Sequence, residues 1–308
     1  MVDAKAGERE GSLDFGEFKT LVALEETRGE RLTQRELASR CDMSLGTVNK
    51  ALARLGDRGL VEDGMIADAG IDELEPYRVR RAVLVAAGFG SRMVPVTLNT
   101  PKPLVRVHGR RIIDSLLDPL IAVGIEEIYV VRGYLAEQFD QLLYDYPTIR
   151  FLENPLYNEA NNISSLMQAK DLLQNAYVME SDLLLRNPAL VSKYQYRSNY
   201  LGIPVDQTDD WCFPTKNGVI KGMVQGGVDC HLMIGLSYWT AEDGRKLAED
   251  IPSVFAEPGG KERFWDYVPL RYRAGNYKVH VRECRSEDVC EIDTFRELQA
   301  LDPAYAIR

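Results

Sequence analysis

Apolar positions recur at helical spacing from Phe15 to Ile66, with Phe18, Leu21, Val22 and Leu24 forming one face. Thr33 and Glu36 stand at capping-box spacing, which predicts a helix start just before Leu37 and Ala38. Cys41-Asp42-Met43 interrupts that pattern. Ser44 can then cap a further helix in which Val48, Ala51, Leu52 and Leu55 share a face, and Gly59 stops it before Leu60 and Val61. The stretch 68–77 is acidic and non-periodic with Pro76 near its end, and it reads as a linker. The pattern therefore divides the chain into a small α-rich unit, residues 1–75, and a larger one, 78–308. In the larger unit Ala82 to Ala86, Ile128 to Arg132, Tyr177 to Met179 and Met233 to Leu236 read as buried strands. Helical patterns at Ile112 to Ala122, Ile163 to Leu173 and Ala241 to Glu249 lie between them. Such alternation predicts an α/β fold with a mixed, mainly parallel sheet covered on both faces.

In the small unit, helix, three-residue break, helix and short strand resemble a winged helix-turn-helix domain. Arg28 to Arg58 carries seven basic against four acidic residues, yet residues 1–75 carry 10 basic and 17 acidic, which weakens the case for DNA affinity. Should the module bind DNA, Ser44, Leu45, Gly46, Thr47 and Asn49 open the second helix and are placed to meet base edges. Lys50 and Arg54 would meet phosphates. A dimerisation or docking module is the competing reading.

Composition narrows the classes. A chain of 308 residues with 45% hydrophobic content can bury a substantial core. No run approaches the roughly 20 apolar residues of a membrane span, and Met1 to Ser12 is charged where a signal peptide would be apolar, so a cytoplasmic protein without membrane contact is expected. Five scattered cysteines and three histidines argue against structural zinc. A net charge of −10 argues against broad nucleic-acid affinity.

The chemistry concentrates after the first strand of the larger unit. Val83 to Arg92 runs strand into glycine turn, and Pro95, Thr97 and Pro101-Lys102-Pro103 follow. Gly88 and Gly90 let backbone N–H groups approach phosphate oxygens. Arg92 and Lys102 add positive charge, with Lys102 stiffened by a proline on each side. The whole string from Ala86 to Ile113 resembles the signature of the sugar-phosphate and choline-phosphate nucleotidyltransferases, with Arg110-Arg111 in place of the usual Lys-Pro. Glu153 to Ser165, Glu180 to Asp182, Ser237 to Thr240, Phe264 to Asp266 and Glu291 to Asp293 occur in an order similar to bacterial phosphocholine cytidylyltransferases, so the resemblance covers about Arg81 to Leu301.

The resemblance implies a Rossmann-like nucleotidyltransferase domain and transfer of CMP from CTP to phosphocholine, giving CDP-choline and pyrophosphate. Asp182, a few residues beyond an apolar strand and hence at its carboxyl end, and Asp293 would hold Mg²⁺, a hard cation that two carboxylates suffice to bind. Lys102 and Arg92 would neutralise developing charge. Ala86, Ala87, Gly88, Phe89, Gly90 and Ser91 would hold the nucleotide, and Ala87, Tyr134, Asn161 and Asn162 are candidates for reading the base. A trimethylammonium head calls for aromatic faces with a counter-charge. Trp211, Trp265 and Tyr267 are the first choices, Tyr238 and Trp239 the second, with Asp266, Glu180 or Glu291 as the anion. Trp239, inside an apolar strand, reads as core. The candidate partners are CTP, phosphocholine, DNA and further copies of the chain. Two alternatives stay open: a transferase for a sugar or inositol phosphate, and a transcription regulator using the transferase domain as a ligand sensor.

Overall fold

The computed structural model describes residues 12–306. The chain divides into two compact units that meet at Arg78 and Val79. The first holds helices Phe15–Glu26, Gln34–Arg40 and Leu45–Asp57, then a hairpin of Val61–Glu62 with Met65–Ile66. Thr33 and Glu36 do form a capping box, and Ser44 caps the third helix by accepting the Thr47 N–H. Residues 68–77 are not a linker. They form the helix Asp68–Leu74 and a 3₁₀ turn Glu75–Tyr77. Asp68 complements the positive helix start, Leu74 is buried, and the Tyr77 ring packs 5.1 Å from Phe18. One buried position per turn gives too short a stripe for periodicity to reveal.

The second unit is built on a nine-stranded mixed sheet. Its parallel part runs Ala176–Glu180, Arg81–Val85, Glu127–Arg132 and Arg150–Glu153. Val224–Trp239 adds antiparallel beside Ala176–Glu180, and Asn199–Phe213 pairs antiparallel with it. The observed helices Asp114–Ala122, Ile163–Ala169 and Ala241–Phe255 fall where helical periodicity places them.

Alternation along each central strand separates two cores. Ala82 and Leu84 face a layer with Leu116, Leu117 and Leu120, whereas Val83 and Val85 face one with Leu166, Leu247, Ile251 and Trp239. With both faces covered, the strand ends are what remain open to a ligand. Among the described residues no helix is long and apolar enough to cross a membrane.

Candidate active site

Arg81–Val85 has a parallel neighbour on each side, and the crevice beyond the carboxyl ends of strands at such a switch point is where open α/β sheets bind ligands. The glycine turn leaves the sheet there, and Glu180, Ser181 and Asp182 leave it from the adjacent strand. Two cavities of about 320 Å³ and 810 Å³ open at this place and share Arg92, Asn162, Glu180, Asp182 and Asp293. The smaller is lined by Ala86, Ala87, Gly88, Gly90, Ser91 and Lys102, among others.

Gly90 sits at φ +62°, where a Cβ would lie 3.0 Å from both Lys102 Cβ and Thr97 Cγ2. The turn therefore requires glycine to bring Lys102 close. Lys102 Nζ donates to Asp182 Oδ2 at 2.8 Å and to Asp293 Oδ1 at 3.0 Å, and Arg92 donates to the same Asp293 oxygen at 2.7 Å. Burial works against the Lys102 charge, but Asp182 and then Asp293 outweigh it and hold the ammonium above its ordinary pKa.

Glu291, expected at the acceptor, also stands beside Asp182 and Asp293, and their ligand oxygens lie within 4.8 Å of one another. Glu291 ends the strand Val289–Glu291, and Asp293 lies two residues beyond it. Glu291 opens onto the larger cavity but is ringed by protein atoms; that crowding, with Asp182 and Asp293 beside it, pushes its carboxyl up to about 8. Asp182 Oδ1 is buried and has no hydrogen-bond partner among the described residues. Hard oxygen donors with an orphaned carboxylate oxygen among them fit a divalent cation such as Mg²⁺.

The larger cavity is acidic. Glu180, Asp210, Asp266 and Glu291 line it beside Trp211 and Phe264. Glu180 Oε1 accepts from Asn162 Nδ2 and from the Trp265 indole, both at 3.1 Å, and Asp266 accepts from the Tyr200 hydroxyl. Burial, then Asp266 and Asp182, push Glu180 well above the usual carboxylate range, and burial lifts Asp266 to about 7.

A 2-aminoethylphosphonate cytidylyltransferase from Lancefieldella rimae is 36% identical to this chain over 228 residues, covering 73% of the chain and 92% of the relative. The chain belongs to the cytidylyltransferases. The nucleotidyl transferase family pattern matches residues 81–227, and the winged helix-turn-helix DNA-binding pattern matches residues 19–62. The choline-phosphate cytidylyltransferase of Streptococcus pneumoniae is 29% identical over 225 residues, covering 72% of this chain and 96% of that one. A solved structure of the CTP:phosphocholine cytidylyltransferase from the same organism superposes with a TM-score of 0.68 at 28% identity, covering 74% of this chain and all of that one.

Several residues of this cytidylyltransferase stand in places other than those expected from sequence. Trp265 is 1% exposed and packs between Tyr200 and Trp239, so it braces Glu180 from beneath instead of walling the acceptor cavity. Its polar neighbours hide this, because the segment has no regular period. Trp239 and Tyr238 are core, while Trp211 stands 5.6 Å from Tyr267, which in turn meets Phe264 at 5.5 Å. Asn162 spends its amide on Glu180 and its carbonyl on the Trp265 N–H, and Asn161 bonds Glu262 and the Asn162 N–H. Each amide keeps a second N–H, and both residues line the smaller cavity. The Tyr134 hydroxyl donates to the Thr97 and Leu98 carbonyls and braces the loop.

Phe89 lies 5.1 Å from Tyr134 and 5.4 Å from Tyr157, and Tyr157, not among the residues expected from sequence, lines the smaller cavity. Gly133 makes room for that ring, since a Cβ there would come within 2.6 Å of Tyr157. In the N-terminal unit Asn49 and Lys50 are exposed, but Arg54, expected on phosphates, pairs with Asp14 and Glu17.

Gly88 yields the first prediction. Among the described residues, its chain neighbours aside, no atom lies within 4 Å of where its Cβ would stand, and its φ is not left-handed, so the missing side chain serves the cavity and not the fold. Gly88→Ala is expected to leave the melting temperature within about 2 °C and to raise the KM for CTP about tenfold by obstructing backbone approach to phosphate. An unchanged KM would remove Gly88 from the nucleotide site.

Proposed function

We propose that this enzyme transfers CMP from CTP to a small phosphonate or phosphate that carries a cationic nitrogen, and that 2-aminoethylphosphonate is the acceptor that fits best. The observation that carries this reading is the excess of carboxylates over cations in the larger cavity. Lys102 and Arg92 are engaged at Asp182 and Asp293, and among the described residues no ion pair reaches Glu180, Asp210 or Asp266. An ammonium entering there would relieve their repulsion. A primary ammonium has three N–H donors and is satisfied by oxygen acceptors. A quaternary head needs rings on several sides, and here two rings line the cavity, Trp211 and Phe264, with Tyr267 packed against both. Those rings are what favour phosphocholine as the second reading. A sugar or inositol phosphate would ask for neutral hydroxyl-reading groups, and the lining offers few.

In the reaction an acceptor oxygen forms a bond to the α-phosphorus of CTP while the α–β bridging P–O bond breaks and pyrophosphate leaves. The nucleophile is an anion near neutral pH, so no general base is needed and the chain's task is positioning and charge stabilisation. The glycine turn holds the triphosphate, Lys102 and Arg92 offset the charge that builds on it, and Glu180 with Asp266 orients the acceptor's nitrogen. Asp182, Glu291 and Asp293 would hold Mg²⁺, which supplies Lewis-acid stabilisation of phosphoryl oxygens when bound. The exposed Asn49 and Lys50 support DNA contact by the N-terminal unit.

The test is competition. With CTP and Mg²⁺ fixed, kcat/KM for 2-aminoethylphosphonate is expected to exceed that for phosphocholine by about 100-fold, the cost of failing to satisfy buried carboxylates. A preference for phosphocholine would reverse the assignment of the acceptor and leave the cytidylyltransferase intact.

A further inference from the structure

The oxygens best placed to hold a divalent cation are already held by the chain's own cations. Lys102 bridges Asp182 Oδ2 and Asp293 Oδ1, Arg92 shares that Asp293 oxygen, and Lys102 is 9% exposed, clamped between Pro101 and Pro103 over the Gly90 turn. We propose that Lys102, helped by Arg92, competes with the metal for these carboxylates, so that the metal is admitted with the nucleotide and not before it. The inference rests on the reading of Asp182, Glu291 and Asp293 as the metal site.

The physical argument is charge exchange. A divalent ion approaching Asp182 and Asp293 meets an ammonium and a guanidinium at contact distance, and two cations on the same oxygens repel across a partly desolvated cleft. The same Lys102 lines the cavity of Gly88, Gly90 and Ser91, so an arriving triphosphate offers its ammonium other anionic acceptors. Moving the ammonium onto phosphate frees Asp182 Oδ2 and Asp293 Oδ1, and Asp182 Oδ1 is without a partner from the start. By linkage, nucleotide and metal each raise the other's affinity by the same factor. Part of that factor comes from phosphate oxygens on the metal, and the part due to Lys102 is what substitution removes.

The probe is Mn²⁺ alone, with free ion read by electron paramagnetic resonance, on the full chain and its variants with and without CTP. Without CTP, Lys102→Gln is expected to bind Mn²⁺ at least about tenfold more tightly than wild type and Arg92→Gln about threefold, as a nearby like charge is removed. The gain in Mn²⁺ affinity on adding CTP should shrink in Lys102→Gln. Its melting temperature should fall without metal and recover with Mn²⁺, whereas Arg92, two-thirds exposed, can be replaced without threatening the fold. Equal Mn²⁺ affinity in wild type and both variants overturns the competition and leaves the metal site standing. Undiminished Mn²⁺ binding by Asp182→Asn overturns the metal site and the inference together.

Discussion

Lys102→Ala is expected to lower kcat by about 10²–10³-fold with the chain still folded, the usual effect of removing one preorganised charge from a phosphoryl-transfer site. Lys102 is the cation of this site that the fold invests in: Gly90 adopts a left-handed φ to let it approach, and it reaches carboxylates 80 and 191 residues away. A solvated surface lysine would need none of this. Alanine leaves Asp182 and Asp293 facing a cleft that admits water, their side chains being 21% and 24% exposed, so their repulsion is partly screened and folding survives. Pyrophosphate release at saturating CTP and acceptor measures the effect, with a thermal melt alongside. A variant within about threefold of wild type in kcat would take Lys102 out of the transition state.

Glu180→Gln should act on the acceptor. The substitution keeps the shape and an oxygen able to accept from Asn162 and Trp265, and it removes the negative charge that a bound ammonium would draw out on the Glu180 carboxyl. Weakening one side of a desolvated ion pair costs 2–5 kcal/mol, so kcat/KM for the cationic acceptor is expected to fall by about 100-fold while KM for CTP stays within about threefold. Initial rates against each substrate in turn separate the two. An equal loss for CTP would place Glu180 at the nucleotide, and no loss would leave the acidic cavity without a role in recognising the acceptor.

How far the chain could be read from its residues depended on whether the signal was periodic. The central strands, the glycine turn and the strand-end position of Asp182 all follow from alternation and turn chemistry, which are local. Asp293 was legible through its short motif, which also holds Glu291 two residues earlier. Trp265 was misjudged because Phe264 to Tyr267 follows no strand or helix period, so polar neighbours say nothing about which way a ring turns. Asn161 and Asn162 are oriented by partners some 100 residues distant, Glu262 and Trp265, which spacing along the chain does not reveal. Residues 68–77 looked like a linker because a seven-residue helix is too short to show a stripe.

The most direct measurement is phosphorus magnetic resonance on the full chain with CTP, Mg²⁺ and 2-aminoethylphosphonate. Consumption of CTP with matched growth of pyrophosphate and of a phosphonate joined to the α-phosphate is the expected result. CTP that binds but stays intact with 2-aminoethylphosphonate and with phosphocholine alike would contradict it.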